Sequence, residues 1–237
     1  MKVLVIPDIH LKPWMFVEAD RLMKKGLAER AVCLMDIPDD WHKRFDLEAY
    51  EKTFNAAIRF AKIYPDTLWC YGNHDLSYKW DREESGYSSM AAYTAEQKLK
   101  ELEESIPEDN PIRYIHRIDN VLFSHGGLMA YFVENHIDPE RMDDVDFVLE
   151  EINSFGPKEM WNNDSPIWCR PQRGNPRMYK EDTCLQVVGH TPIGEITKKG
   201  NVISCDVFST HIDGRPIGNQ EFLLLDTLTW EYAGIGV

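Results

Sequence analysis

Lys2-Val3-Leu4-Val5-Ile6, Ala31-Val32-Cys33-Leu34-Met35 and Thr67-Leu68-Trp69-Cys70-Tyr71 are nearly unbroken runs of aliphatic, β-branched and aromatic residues. Runs of this kind, without polar alternation, are expected of strands buried on both faces. Helical signals lie between them, clearest where Leu47, Tyr50, Phe54, Ala57, Ile58 and Ala61 make one apolar stripe behind Asp46, a suitable helix cap. This alternation predicts an open α/β sheet over the first third of the chain. Further strands are predicted at Ile112–His116, Val121–Ser124, Leu185–Val188, Val202–Cys205 and Phe222–Leu225, the later ones spaced closely enough to suggest a second, partly antiparallel sheet. Pro139 after Asp138 predicts a helix start, with Met142, Val145, Val148, Leu149 and Ile152 as the buried face, and another helical portion is predicted near Thr94–Glu103. Residues 76–110 and 154–184 fit no sheet framework, and long connections of this kind are more often functional than idle.

A chain of 237 residues that is 43% hydrophobic can bury one sizeable core, so a single domain spanning residues 1–237 is expected. Lys and Arg number 26 against 40 Asp and Glu, a net charge of -14, so no basic nucleic-acid-binding surface and no attraction to anionic membranes is expected. Any anionic substrate must be attracted locally. The apolar run before Pro7 is too short for a signal-peptide core and no later run approaches a membrane span, which predicts a cytoplasmic protein. Five cysteines without paired spacing are expected to be reduced thiols, with Cys33, Cys70 and Cys205 serving as packing.

The predicted strands end in polar residues of one chemical kind. Asp8-Ile9-His10 follows the first run, Asp36 with Asp39 the second, and Gly72-Asn73-His74-Asp75 the third; His125-Gly126-Gly127 and Gly189-His190-Thr191 follow two later ones. In open α/β sheets ligands bind beyond the carboxyl ends of strands, where these residues fall. Carboxylate, imidazole and amide oxygen without thiolate suit a pair of borderline or hard divalent ions, and such a pair is a phosphoryl-transfer device. A carboxylate such as Asp36 can bridge two cations, Asn73 offers a neutral oxygen, and the unperturbed pKa of His74 suits proton transfer near neutrality. Each patch alone is compatible with an ordinary polar loop. Five in this order are very hard to obtain by accident.

As a set, Asp8-Ile9-His10, Asp36-Ile37-Pro38-Asp39, Gly72-Asn73-His74-Asp75, His125-Gly126-Gly127 and Gly189-His190-Thr191-Pro192 resemble the motif series of calcineurin-like metallophosphoesterases. Pro192 stands where many members have a second histidine, so the series is most similar to the phosphoprotein phosphatase branch with its bacterial, phage and diadenosine tetraphosphatase relatives. The resemblance implies an α/β fold with a two-sheet β-sandwich core flanked by helices. It implies one ion held by Asp8, His10 and Asp36, and a second held by Asp36, Asn73, His125 and His190. Manganese comes first among the metals, with iron, zinc, cobalt and nickel admitted by the same ligand types. The implied reaction is hydrolysis of phosphomonoesters, phosphoserine or phosphothreonine among them, by attack of a metal-bound hydroxide, with His74 oriented by Asp39 as the acid for the leaving group. Substrates of the implied class are phosphoproteins, small phosphoesters and nucleotides. Alternative readings are a dinucleoside polyphosphate hydrolase or phosphodiesterase, and a non-catalytic metal-binding scaffold of the same fold.

Two positions depart from the pattern. Met35 replaces the glycine usual before the bridging aspartate, and Asp40 replaces an arginine, which removes a phosphate clamp and places a negative charge near the site. Arg170, in Trp168-Cys169-Arg170, and Arg44 are the candidates to supply a guanidinium instead.

Overall fold

Two five-stranded sheets form the centre of the computed structural model, which describes residues 1–236. In the first sheet β1 (Lys2–Ile6), β2 (Arg30–Cys33) and β3 (Leu68–Trp69) run parallel, Ile6 opposite Cys33 and Cys33 opposite Trp69. In the second, β4 (Ile115–Ile118) and β5 (Val121–Ser124) form an antiparallel hairpin; β5, β6 (Leu185–Val188) and β8 (Val202–Ser204) are parallel, and β7 (Thr197–Lys199) pairs antiparallel with β8. The first sheet is completed by β9 (Glu221–Asp226), antiparallel to β1, and by β10 (Tyr232–Gly236) at the edge.

Strand alternation divides the core into layers. Val3 and Val5 of β1, Val32 of β2, Leu223 and Leu225 of β9, Val121 and Phe123 of β5, and Leu185 and Val187 of β6 pack between the sheets. The alternate residues Leu4, Ile6, Ala31, Cys33 and Leu122 face the helical layers. Both faces are thus apolar, which is why these strands read as continuous runs. Gln186 is the polar exception: its amide oxygen accepts from Leu128 N–H at 2.8 Å, and its nitrogen donates to the carbonyls of Leu128 and Tyr179, so no polar atom of the side chain is stranded.

On the first sheet lie α1 (Trp14–Lys24) and α2 (Leu47–Ile63), and α3 (Ala92–Ser105), which contains the predicted Thr94–Glu103 portion, packs against α2. The Asp46 carboxylate accepts from Ala49 N–H at 3.1 Å, and the stripe from Tyr50 to Ala61 is buried, whereas Leu47 in the first turn is exposed. The predicted helix start at Pro139 is displaced. Asp138 closes a turn onto Glu140, and α4 (Val145–Asn153) begins only where Asp144 accepts from Phe147 N–H, so Met142 lies outside the helix and is half-buried. The strand predicted at Ile112–His116 begins at Ile115. The edge strands β7 and β10 have no alternating pattern because most of their residues face solvent. Among the described residues all five cysteines are free and buried, and no helix is long and apolar enough to cross a membrane.

Candidate metal centre

The parallel strands β1, β2, β3, β5, β6 and β8 end on one side of the molecule, and the next few residues of each are Asp8 with His10, Asp36, Asn73, His125, His190 and Asp206. The first two loops are joined beyond their strands: Ile9, His10 and Leu11 N–H donate to the carbonyls of Met35, Asp36 and Ile37. Several residues of these loops are left-handed, with φ of +42° at His10, +54° at Met35, +44° at Asp36 and +65° at Asp39. Such backbone costs on the order of 1–2 kcal/mol per non-glycine residue and persists where the surroundings over-determine it.

Asp36 is the centre of the cluster. Its Oδ2 lies 3.1 Å from His125 Nε2 and 3.8 Å from His10 Nε2, so one oxygen faces both imidazoles, while Oδ1 accepts from His74 N–H. Around His125 Nε2 also lie Asn73 Oδ1 at 3.0 Å and His190 Nδ1 at 3.1 Å. Ligand atoms of Asp36, His125 and His190 all fall within 4.8 Å of one another. His10 Nδ1 lies 2.8 Å from the Asp39 carbonyl and His125 Nδ1 3.1 Å from that of Leu34; backbone partners of this kind leave Nε2 of each ring for a cation.

Two glycines permit the approach. A Cβ on Gly72 would lie 2.0 Å from Asp36 Oδ1, and one on Gly189 would lie 2.2 Å from Asp8 Oδ1. Asp8 in turn accepts from His190 N–H through both oxygens. The carboxyls of Asp8, Asp36 and Asp206 are all buried, an accumulation that is costly unless cations share it. Burial, with Asp206 and Asp36 close by, pushes Asp8 well above the usual carboxylate range. For Asp36 burial acts the same way but His125, His74 and His10 outweigh it and hold the carboxyl low. Burial opposes protonation of His125, yet Asp36 and Asp8 lift it to about 9. His190 is held well down by burial and by His125, and its buried Nε2 has no hydrogen-bond partner among the described residues. Carboxylates gathered around imidazoles with free ring nitrogens fit divalent cations as ligands.

His74 lines the same cavity, its ring edge-on to that of His10 with centroids 5.2 Å apart. Its Nδ1 is 2.8 Å from Asp39 Oδ2, and Asp39 Oδ1 accepts the hydroxyls of Tyr50 at 2.6 Å and Tyr78 at 2.5 Å. Burial disfavours the imidazolium, but Asp36, the bond to Asp39 and nearby Glu84 raise His74 to about 10. Arg170 is half-buried and donates from one nitrogen to the His190 carbonyl at 2.6 Å and to Thr191 Oγ1 at 3.2 Å, leaving its other N–H groups uncommitted at the cavity wall. Arg44 is not brought there: it is exposed, its guanidinium 5.6 Å from the Phe45 ring centre. The Arg44 carbonyl accepts from Ser88 Oγ at 2.6 Å.

Both departures acquire a physical account. Met35 is fully buried in the main core at its left-handed φ, so packing sustains a conformation suited to glycine. Asp40 is buried with Lys12, whose Nζ lies 3.6 Å away, and it accepts from His42 N–H and Thr210 Oγ1. Its negative charge is therefore matched within the wall.

Four residues important to this geometry are given no role by the motif series, although Asp75 closes one of its motifs. Asp75 accepts from the N–H groups of Asp36, Ile37 and Gly72. Glu84 accepts from the Asn73 amide, and Lys12 pairs with Asp40. Asp206 follows the Val202–Cys205 run as Asp8 and Asp36 follow theirs, and that position is its sequence signal. The cavity lined by His10, Asp36, Asn73, His74, Glu84 and Asp206 is about 220 Å³, with Trp41 and Ile217 at its wall. A larger cavity of about 620 Å³ lies between residues 171–181 and 193–204, but none of the predicted site residues lines it.

Known proteins set this geometry in a family. The model of calcineurin-like phosphoesterases matches residues 1–213. Among solved structures, the I115M mutant of a cold-active protein tyrosine phosphatase is 15% identical over 98% of this chain and 80% of its own, with a TM-score of 0.57. The cold-active protein-tyrosine phosphatase of a psychrophile, Shewanella sp., is 15% identical over the same shares with a TM-score of 0.54. Likeness at this identity speaks for the fold alone. No curated protein sequence matches the chain significantly. The match over residues 1–213, on a chain whose strand ends converge as described, shows that the chain belongs to the calcineurin-like phosphoesterases, metal-dependent hydrolases of phosphoric esters that use a dinuclear divalent centre.

Proposed function

We propose that the cavity hydrolyses phosphomonoesters, including phosphorylated serine or threonine side chains. The observation that supports this reading best is that His74, hydrogen-bonded to Asp39, and the Asp36-centred cluster line one cavity of about 220 Å³. Asp8, His10 and Asp36 would hold one ion and Asp36, Asn73, His125 and His190 the other, with Oδ2 of Asp36 facing both groups. When bound, such ions acidify water and neutralise charge on phosphoryl oxygens. The uncommitted N–H groups of Arg170 would orient those oxygens. His74, held at Nδ1 by Asp39, would donate from Nε2 to the departing alkoxide, which needs a proton far more than a phenolate does.

The test is turnover of p-nitrophenyl phosphate and of a phosphoserine peptide with added manganese. His74→Asn should reduce turnover on the order of 10²–10⁴-fold, more for the peptide than for the aryl ester. Metal-loaded protein without turnover, indistinguishable from His74→Asn, would sink the reading. Preferential cleavage of diadenosine tetraphosphate would replace it with the nucleotide-polyphosphate alternative.

A further inference from the structure

Glu84 lies in the 76–110 connection, outside every motif, yet its side chain is only 7% exposed and lines the cavity. Both of its carboxylate oxygens lie 2.7 Å from Asn73 Nδ2. The other end of that amide, Oδ1, is the atom 3.0 Å from His125 Nε2 within the Asp36 cluster. An amide's oxygen and nitrogen are nearly equal in size, so shape alone does not decide which faces the cluster. Glu84 decides it. A flipped amide would set an oxygen against two carboxylate oxygens at hydrogen-bond distance, and would aim an N–H donor at the place where a cation needs a lone pair. The same carboxylate approaches His74 Nδ1 to 3.5 Å, beside Asp39.

We propose that Glu84 is a positioning residue that locks the Asn73 amide with its oxygen toward the metal cluster, and that it thereby links the 76–110 connection to metal affinity. The inference rests on the reading of Asn73 as a ligand given above. Glu84 acts through Asn73, and touches neither the substrate nor the ion. Partners that orient metal ligands from behind commonly change metal affinity by 10- to 100-fold when removed.

The experiment measures manganese binding by isothermal titration calorimetry and by metal analysis of saturated protein, on wild type, Glu84→Gln, Asn73→Asp and the double variant Asn73→Asp with Glu84→Gln. Glu84→Gln keeps the side-chain shape but takes one acceptor from the Asn73 amide, and should weaken the more weakly held ion about 10- to 100-fold. In the double variant an oxygen faces the cluster whichever way the side chain turns, and the glutamine amide can donate to the other oxygen. Affinity should then return to within about threefold of wild type, whereas Asn73→Asp alone, with two carboxylates opposed, should not recover it. A purely structural role for Glu84 would not produce that rescue. Wild-type protein that holds two ions while Glu84→Gln binds equally well, or a double variant as weak as Glu84→Gln, overturns this inference and leaves the phosphoesterase reading intact. Wild-type protein that saturates below two ions overturns both.

Discussion

The two walls of the cavity are held by different means. On the wall formed by β1, β2 and β3, the candidate ligands are fixed by hydrogen bonds within that wall: Asp75 gathers three N–H groups, the Asp8 and Asp36 loops exchange backbone bonds, and Glu84 fixes Asn73. On the wall formed by β5, β6 and β8, both histidines lean on the first. His125 reaches the Leu34 carbonyl and His190 N–H reaches Asp8, while Arg170 reaches the His190 carbonyl within its own wall. The first wall is thus a template, and the second is aligned by docking onto it. Damage to the template should disturb every candidate ligand, while damage to the second wall should stay local.

Asp75→Ala is the largest test of that difference. It strands three buried N–H donors at 2.9–3.0 Å, in a place where each unsatisfied group costs on the order of 1–3 kcal/mol. Urea unfolding should show a loss of at least ~3 kcal/mol, accompanied by loss of manganese binding. A variant as stable as wild type that still holds two ions would mean that the loops need no such tie.

Acid should loosen the joint between the walls. His116 of β4 lies with Nε2 3.0 Å from the Trp69 carbonyl of β3, a bond from one sheet to the other. Burial, with Arg113 and Arg30 nearby, depresses its pKa to about 4, whereas the unfolded value is 6.5. The folded protein therefore keeps a neutral ring, and the unfolded chain takes up the proton first. Stability from this group is complete above pH 6.5 and falls as pH drops toward 4, by about 3 kcal/mol in all. Unfolding curves between pH 7.5 and 4 should show the slope, and His116→Gln, which retains a donor for the carbonyl, should flatten it. Equal slopes in the two proteins would remove His116 from the joint.

Arg170→Ala probes the second wall alone. Loss of charged hydrogen bonds worth ~1.5–3 kcal/mol should lower kcat/KM about 10- to 100-fold and raise the inhibition constant of inorganic phosphate, with manganese binding retained. Arg44→Ala should remain within about twofold of wild type, as exposed substitutions usually do. Reversal of these two results would place the phosphate on the Arg44 side.

The template was also the more legible wall, though not in its supports. Asp8, His10, Asp36 and Asn73 stand out because each follows a strand with both faces buried, so the pattern places a polar residue where apolar residues stop. His125 and His190 follow the same rule on the second sheet. Asp75, Glu84, Lys12 and the tyrosines that hold Asp39 escape it because their partners lie up to 39 residues away, and only folding reveals a pair of that kind. The helix start at Pro139 misled for a local reason: Asp138 and Asp144 both offer caps, and only the second opens the helix that buries Val148, Leu149 and Ile152. The edge strands β7 and β10, exposed along most of their length, offered no alternation to read.

Met35→Gly is the smallest change, and its sign tests whether the template is held by packing or by backbone preference. At φ +54° glycine would relieve about 1–2 kcal/mol of left-handed strain. The methionine side chain is fully buried, and truncation of such a residue costs about 2–5 kcal/mol. Packing should win, for a net loss of about 2 kcal/mol in urea unfolding, with manganese affinity changed little because the hydrogen bonds of Asp75 to the loop remain. A stabilised glycine variant would show strain exceeding packing at this turn. Weakened metal binding at unchanged stability would show instead that the Met35 side chain, rather than Asp75, sets the direction in which Asp36 points.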